Sequence, residues 1–196
     1  MFLNIKISVI SYILLGVFAY FLNYWTGSRG VFPIDTFLHF DSAVRISKEE
    51  LPIRDFWIVH GLFVDYMQVF FFKIFGVNWN AYLIHGSIFN SIITLFSYKI
   101  FKEFDIESLQ AFLLSICVAI LAYPVSGTPF LDLHSAFLSL FAMYFLLLFI
   151  KNNNQFYIFF SIILLGLAFF SKQVPAGYFI FLVTLFLFFY SYQIKS

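Results

Sequence analysis

Residues 4–25 read NIKISVISYILLGVFAYFLNYW, and residues 26–55 read TGSRGVFPIDTFLHFDSAVRISKEELPIRD. The first stretch has the length and apolarity of a helix that crosses a bilayer, which needs about 20 such residues. The second places Asp35, His39 and Asp41 within seven residues, directly behind that span. A chain that is 62% hydrophobic and 11% charged has few places for acids. Where it puts them is a guide to its chemistry.

Composition sets the class. Mean hydropathy is +0.94, with 32 Phe and 12 Tyr among 196 residues. A water-soluble domain has no use for that much apolar surface. The net charge of +1 points to no polyanionic partner, so nucleic acid is not expected. Cys117 is the single cysteine and lies in an apolar run, which leaves neither a disulfide framework nor a thiolate metal cluster. Its expected role is packing.

The expectation is therefore an all-α polytopic membrane protein, a single membrane domain over residues 1–196. Apolar runs predict about six transmembrane helices, at residues 4–25, 79–101, 109–123, 133–150, 156–171 and 174–192. Only Lys6 precedes the first run and no small-residue cleavage site follows it, so it reads as an uncleaved anchor. The basic residues Lys6, Lys99, Lys102, Lys151 and Lys195 share one side if the N-terminus is cytoplasmic, with the chain in the inner (plasma) membrane. The loops at 26–78, 124–132 and 171–173 then lie outside. They gather Asp35, His39, Asp41, Asp132 and Lys172 at one face, with His134 just inside the fourth span. The loops at 102–108 and 151–155 read as ordinary solvated turns.

The first outer loop is predicted to carry two short interfacial helices. Residues 35–46 follow Pro33, and Asp35 and His39 stand at i and i+4. Residues 65–76 put Asp65, Gln68 and Lys73 on one side and Met67, Phe70, Phe71 and Ile74 on the other, which suits a helix lying in the interface. Two stripes, Ser8, Tyr12, Gly16, Tyr20 and Gly86, Asn90, Thr94, Tyr98, with Ser87 and Ser91 beside the second, predict a helix–helix packing face. His85 reads as a hydrogen-bonded residue of the bundle. No internal repeat of fixed period is visible.

The order of these elements resembles the N-terminal half of GT-C glycosyltransferases. The likeness is to the branch containing dolichyl-phosphate-mannose protein mannosyltransferases and the lipid A aminoarabinose transferase. Asp35-Thr36-Phe37-Leu38-His39 with Ala43 resembles the family's Asp-Glu…Tyr…Ala pattern. Phe70 to Gly76, FFFKIFG, resembles its aromatic helix ending in Lys-x-Phe-Gly. Thr128 to Ser139, centred on Asp132, resembles the Arg-x-Asp segment opening span four. Ser171-Lys172-Gln173-Val174-Pro175 after Gly166-Leu167-Ala168 resembles Gly-Leu-Ala…Thr-Lys-Gly-Pro. Three family features are replaced: the Glu after the first Asp is Thr36, a Lys-Pro-Pro element is Val59-His60-Gly61-Leu62, and the Arg before Asp132 is absent. Family enzymes have more spans, so the chain is expected to be a fragment of a longer protein.

The resemblance implies transfer of a sugar from a polyprenyl-phosphate carrier to a lipid, glycan or protein acceptor at the bilayer surface, with no cofactor. It makes Asp35 the catalytic acid position and His39, Asp41, Asp132, His134 and Lys172 the substrate-binding candidates. The residues alone leave other roles open. Asp35 and Asp132 also suit helix caps, Asp41 suits a pair with Arg45 at i+4, and Lys172 suits a lysine snorkelling to the interface. Asp35, His39, Asp132 and His134 are metal-ligand types, but their spacing diagnoses no site. A transporter subunit would place ionisable residues at mid-span. A non-catalytic scaffold would need only the small-residue stripes.

Overall fold

The computed structural model describes residues 2–30 and 35–195. Helices stand at all six expected span positions: α1 (Phe2–Ser28), α4 (Trp79–Glu103), α5 (Ser108–Leu121), α6 (Leu131–Asn152), α7 (Gln155–Ser171) and α8 (Gln173–Lys195). Two short helices, α2 (Asp35–Ser47) and α3 (Phe63–Phe75), occupy the first long loop. Among the described residues, four segments are long and apolar enough to cross a membrane: Val9–Ser28, Ser108–Val125, Leu131–Asn152 and Gln173–Tyr192. The helix α7 is apolar but only 17 residues long. The helix α4 has the length but carries a polar seam. This is an all-α membrane protein.

The chain divides into two compact units, residues 1–58 with 64–130, and residues 59–63 with 131–196. The first is built inside out relative to a soluble bundle. Asn23, His85, Ser87, Asn90, Thr94 and Ser97 are fully buried, while Val9, Ile13, Val17 and Phe21 of α1 are exposed. That is the arrangement a bilayer selects: lipid-facing surfaces are apolar, and polar groups must be satisfied within the protein.

Asn90 is the hub of this unit. Its amide nitrogen donates to Ala19 O on α1 at 2.9 Å and to Ala119 O on α5 at 3.1 Å. Its oxygen accepts from the Tyr123 backbone N–H at 3.3 Å, where a 3-10 turn (Tyr123–Val125) follows α5. One side chain thus ties three helices and a turn. Ser91 Oγ donates to Gly16 O at 3.0 Å, and Tyr12 meets Tyr98 edge to face at 5.0 Å. The predicted α1–α4 packing face is therefore present. Its buried line on α1 runs one residue off the Gly16 stripe, through Leu15, Ala19 and Asn23.

Two glycines allow a close backbone approach. A Cβ on Gly27 would lie 2.5 Å from Gly127 O, and one on Gly127 would lie 2.4 Å from Gly27 Cα. Gly127 also has φ +70°, which a side chain disfavours. Asn23 Nδ2 closes this corner by donating to Gly127 O at 3.2 Å and to Ser87 Oγ at 3.1 Å.

The second unit packs α6, α7 and α8 around Ala142, Leu146, Phe149, Leu165 and Val183. Ser161 Oγ donates to Ala142 O at 2.9 Å, binding α7 to α6. Residues 59–63 belong here because Gly61 sits against the end of α7. A Cβ at that position would be 1.9 Å from Phe170 O.

Replacing Asn90 by Leu removes both cross-helix donations and the acceptor of the Tyr123 N–H. We expect a loss on the order of 2 kcal/mol, read as a lower midpoint of thermal unfolding in detergent. An unchanged midpoint would remove Asn90 from its place as the hub.

Candidate functional site

The helix α2 begins at Asp35, just after Pro33 in sequence. The side chain of Asp35 lies outside the described residues. By helical period it stands one turn before His39. The inward face of α2 is set by Thr36, His39, Ser42 and Ala43, all buried. Phe40 adds aromatic contacts to Phe72 at 5.0 Å and Tyr82 at 5.5 Å.

Two hydrogen bonds fasten the start of α2. The buried Tyr82 hydroxyl, on α4, donates to the Thr36 carbonyl at 2.7 Å and also lies 3.2 Å from Pro129 O. His39 Nδ1 lies 2.9 Å from Asp65 Oδ1 on α3, with both side chains fully buried. One turn further along α3, Gln68 Oε1 meets His85 Nδ1 of α4 at 2.9 Å.

This corrects the wheel drawn for α3. Asp65 and Gln68 were expected to face water. They are buried, and Tyr66, Phe70, Ile74 and Phe75 are exposed, with Lys73 alone of the polar set at the surface. In an apolar surrounding a polar stripe turns toward other polar groups, because a lone buried polar group costs several kcal/mol. Asp65 and Tyr82 were missed for this reason. The available signal was an acid and an amide at i, i+3 in a chain with only ten acids.

Asp41 is two-thirds exposed and takes the other role open to it: Arg45 Nε donates to its Oδ2 at 2.9 Å, one helical turn away. Arg45 also reaches Glu50 at 3.3 Å, and these two carboxylates hold its guanidinium above its ordinary pKa, Asp41 most strongly. His134 is buried in α6.

Asp132 and Lys172, 40 residues apart, come together. The Lys172 ammonium donates to Asp132 Oδ1 at 2.5 Å, and both side chains remain more than a third exposed. Lys172 is held at its backbone too. Its N–H donates to Ala168 O at 3.0 Å, and its carbonyl accepts from Ser135 Oγ at 3.0 Å. Ser135 is one turn after Asp132 on α6, so a single face of α6 grips the lysine at both ends. Asp132 in the first turn of α6 and a cation ending α7 also each suit the local helix dipole.

Beyond α2 the chain makes a tight turn. Arg54 donates twice to Asp55, at 2.8 and 2.7 Å, and the Leu51 N–H donates to it at 2.7 Å. The Arg54 bond first, and then the Leu51 N–H, draw the Asp55 carboxyl down to about 2. Ile53 sits at φ +73°, a conformation rare for a β-branched residue. Its N–H donates to Phe56 O at 2.9 Å.

The family model described as dolichyl-phosphate-mannose-protein mannosyltransferase matches residues 59–196. That range runs from just before α3 through α8. It contains Asp65, Asp132, His134 and Lys172 and begins after Asp35, His39 and Asp41. Among curated proteins and among solved structures, no match is found.

The turn at Asp55 has a pH signature. Its folded pKa is depressed, so its contribution is present above the ordinary aspartate value and is lost as pH falls through about 2. Amide exchange at Ile53 and Asp55, corrected for intrinsic rate, is expected to stay slow down to about pH 4 and to quicken below it. The Asp55→Asn variant should lack that dependence, and if it keeps the same profile another group is responsible.

Proposed function

Because the chain belongs to the dolichyl-phosphate-mannose-protein mannosyltransferase family of GT-C membrane glycosyltransferases, we propose that it moves a sugar from a polyprenyl-phosphate carrier to an acceptor outside the cytoplasm. Asp35 takes the proton from the acceptor hydroxyl. The freed oxygen attacks the anomeric carbon, the bond from that carbon to the phosphate oxygen breaks, and polyprenyl phosphate departs. Lys172 stabilises the negative charge that develops on the leaving phosphate. The carrier's tail stays in the bilayer throughout.

The observation that carries this reading is the grip on Lys172. A lysine that merely snorkels has a free head and needs no backbone fastening. This one is held by Ser135 at its carbonyl and by Asp132 at its ammonium. A phosphate-binding cation has to be preorganised in this way, because a donor that must first be ordered loses part of its electrostatic effect. Asp132 sets the position of the ammonium. Asp35 is supported by its place at the start of a helix fastened at Thr36 and His39. Asp41 is the reserve acid, already occupied by Arg45. His134, two residues after Asp132 and buried in α6, is the remaining substrate-binding candidate. The N-terminus is read as cytoplasmic, which puts these residues at the outer face of the inner membrane.

The test is transfer of labelled mannose from dolichyl-phosphate mannose in membranes carrying the full chain. Removal of a general base costs about 10²–10⁴-fold, so Asp35→Asn should fall by that factor with insertion unchanged. Full activity in that variant sinks the assignment. Lys172→Ala should raise the KM for the donor and lower kcat, since the leaving phosphate loses its cation. If donor kinetics are unchanged, Lys172 does not touch the phosphate.

A further inference from the structure

Asp65 has no place in the chemistry above, yet it is a carboxylate with no exposed surface in a chain that has few acids. Burying a carboxylate costs several kcal/mol unless it is well paired. His39, at 2.9 Å and equally buried, is one of its partners. His39 is one helical turn from Asp35, on a helix of only 13 residues. A helix that short is marginal on its own and takes its orientation from what it touches.

The contacts of α2 divide by kind. Phe40 and Ala43 pack against Phe72, Tyr82, Val69 and Ala81. Such apolar contact is tolerant of a sliding or rolling helix. Its directional contacts include Tyr82 to Thr36 O, which fixes the height of the first turn, and His39 to Asp65, which fixes the roll of the helix about its own axis. Asp65 is itself fixed, because Gln68 on the next turn of α3 is bonded to His85 on α4. The line His39–Asp65 on one side and Gln68–His85 on the other makes α3 a strut between α2 and the bundle.

We propose that Asp65 is a positioning residue: through its buried hydrogen bond to His39 it sets the roll of α2 and hence the direction in which that helix presents its first residue, Asp35. The inference rests on the transferase reading for the role of Asp35, but the roll of α2 is measurable without it. It also gives His39 a task other than contact with substrate, in keeping with its complete burial.

The experiment uses the full chain in proteoliposomes with dolichyl-phosphate mannose as donor. Asp65→Leu should lower kcat about 10–100-fold with donor KM within about two-fold, the scale on which a misplacement near 1 Å acts. That variant also removes the bond that His39 makes to Asp65 and will be less stable. The double variant His39→Leu with Asp65→Leu separates the two effects. Replacing a buried pair by apolar residues restores stability, so its thermal midpoint should return toward the parent value while kcat stays low. A merely structural role would return both. Independently of activity, spin labels at Phe37→Cys on α2 and Lys73→Cys on α3, in a Cys117→Ser background, report the roll. Their distance distribution should broaden or shift in the double variant. Parent kcat in either Leu variant, or an unchanged distribution, overturns the proposal. If the parent chain itself transfers no mannose, the transferase reading has failed, and the label distances alone then decide whether Asp65 orients α2.

Discussion

The first unit depends on a single amide. Asn90 sits where α1, α4, α5 and the turn after α5 converge, and its donors and acceptor are spent on one element each. Water is not present in a bilayer core to satisfy such a group, so the helices must come to it. Each bond is modest, about 0.6 kcal/mol on average between helices in a membrane. Their value lies in direction. Apolar faces against other apolar faces, in a solvent that is equally apolar, leave helix register undetermined. An amide with three fixed partners determines it.

The same logic extends along α4 and into the first loop. Asn23, Ser87 and the Gly27–Gly127 contact bring the turn after α5 against the end of α1. Tyr82 carries the register from α4 to Thr36, and His85 carries it through Gln68 and Asp65 to His39. Polar side chains buried in this unit are thus arranged in a line that begins in the bundle and ends at the start of α2. Apolar residues fill the space around that line and face the lipid.

Sequence and structure agree where one physical variable decides the outcome. Span positions follow from run length and hydropathy, and the helices found at 79–103, 131–152 and 155–171 differ from those expected by two residues or fewer at each end. The Asp41–Arg45 pair was open to view because it lies within one helix. The inward turn of Asp65 was not. An amphipathic pattern gives two faces without saying which one meets the protein, and water and lipid give opposite answers. The Asp132–Lys172 contact was hidden differently: both residues were noted singly, but only the packing of α6 on α7 joins them, with Ser135 as a third member that no spacing rule singles out. The role proposed for Asp35 rests on resemblance to a motif, outside the range that the family model matches.

Gly61 has a consequence for how the protein is made. The ribbon at 59–63 is grouped with α6, α7 and α8, and its glycine lies so close to the end of α7 that a Cβ there would meet Phe170 O. Phe170 leaves the ribosome on the order of a hundred residues after Gly61, roughly 5–20 s at ordinary elongation rates. Through that interval the ribbon has been synthesised but its seat has not. The second unit therefore cannot close as a late, self-contained hairpin. It must collect a strip of chain laid down before α4 was inserted, and that strip stays open to proteases and to membrane quality control until α7 arrives.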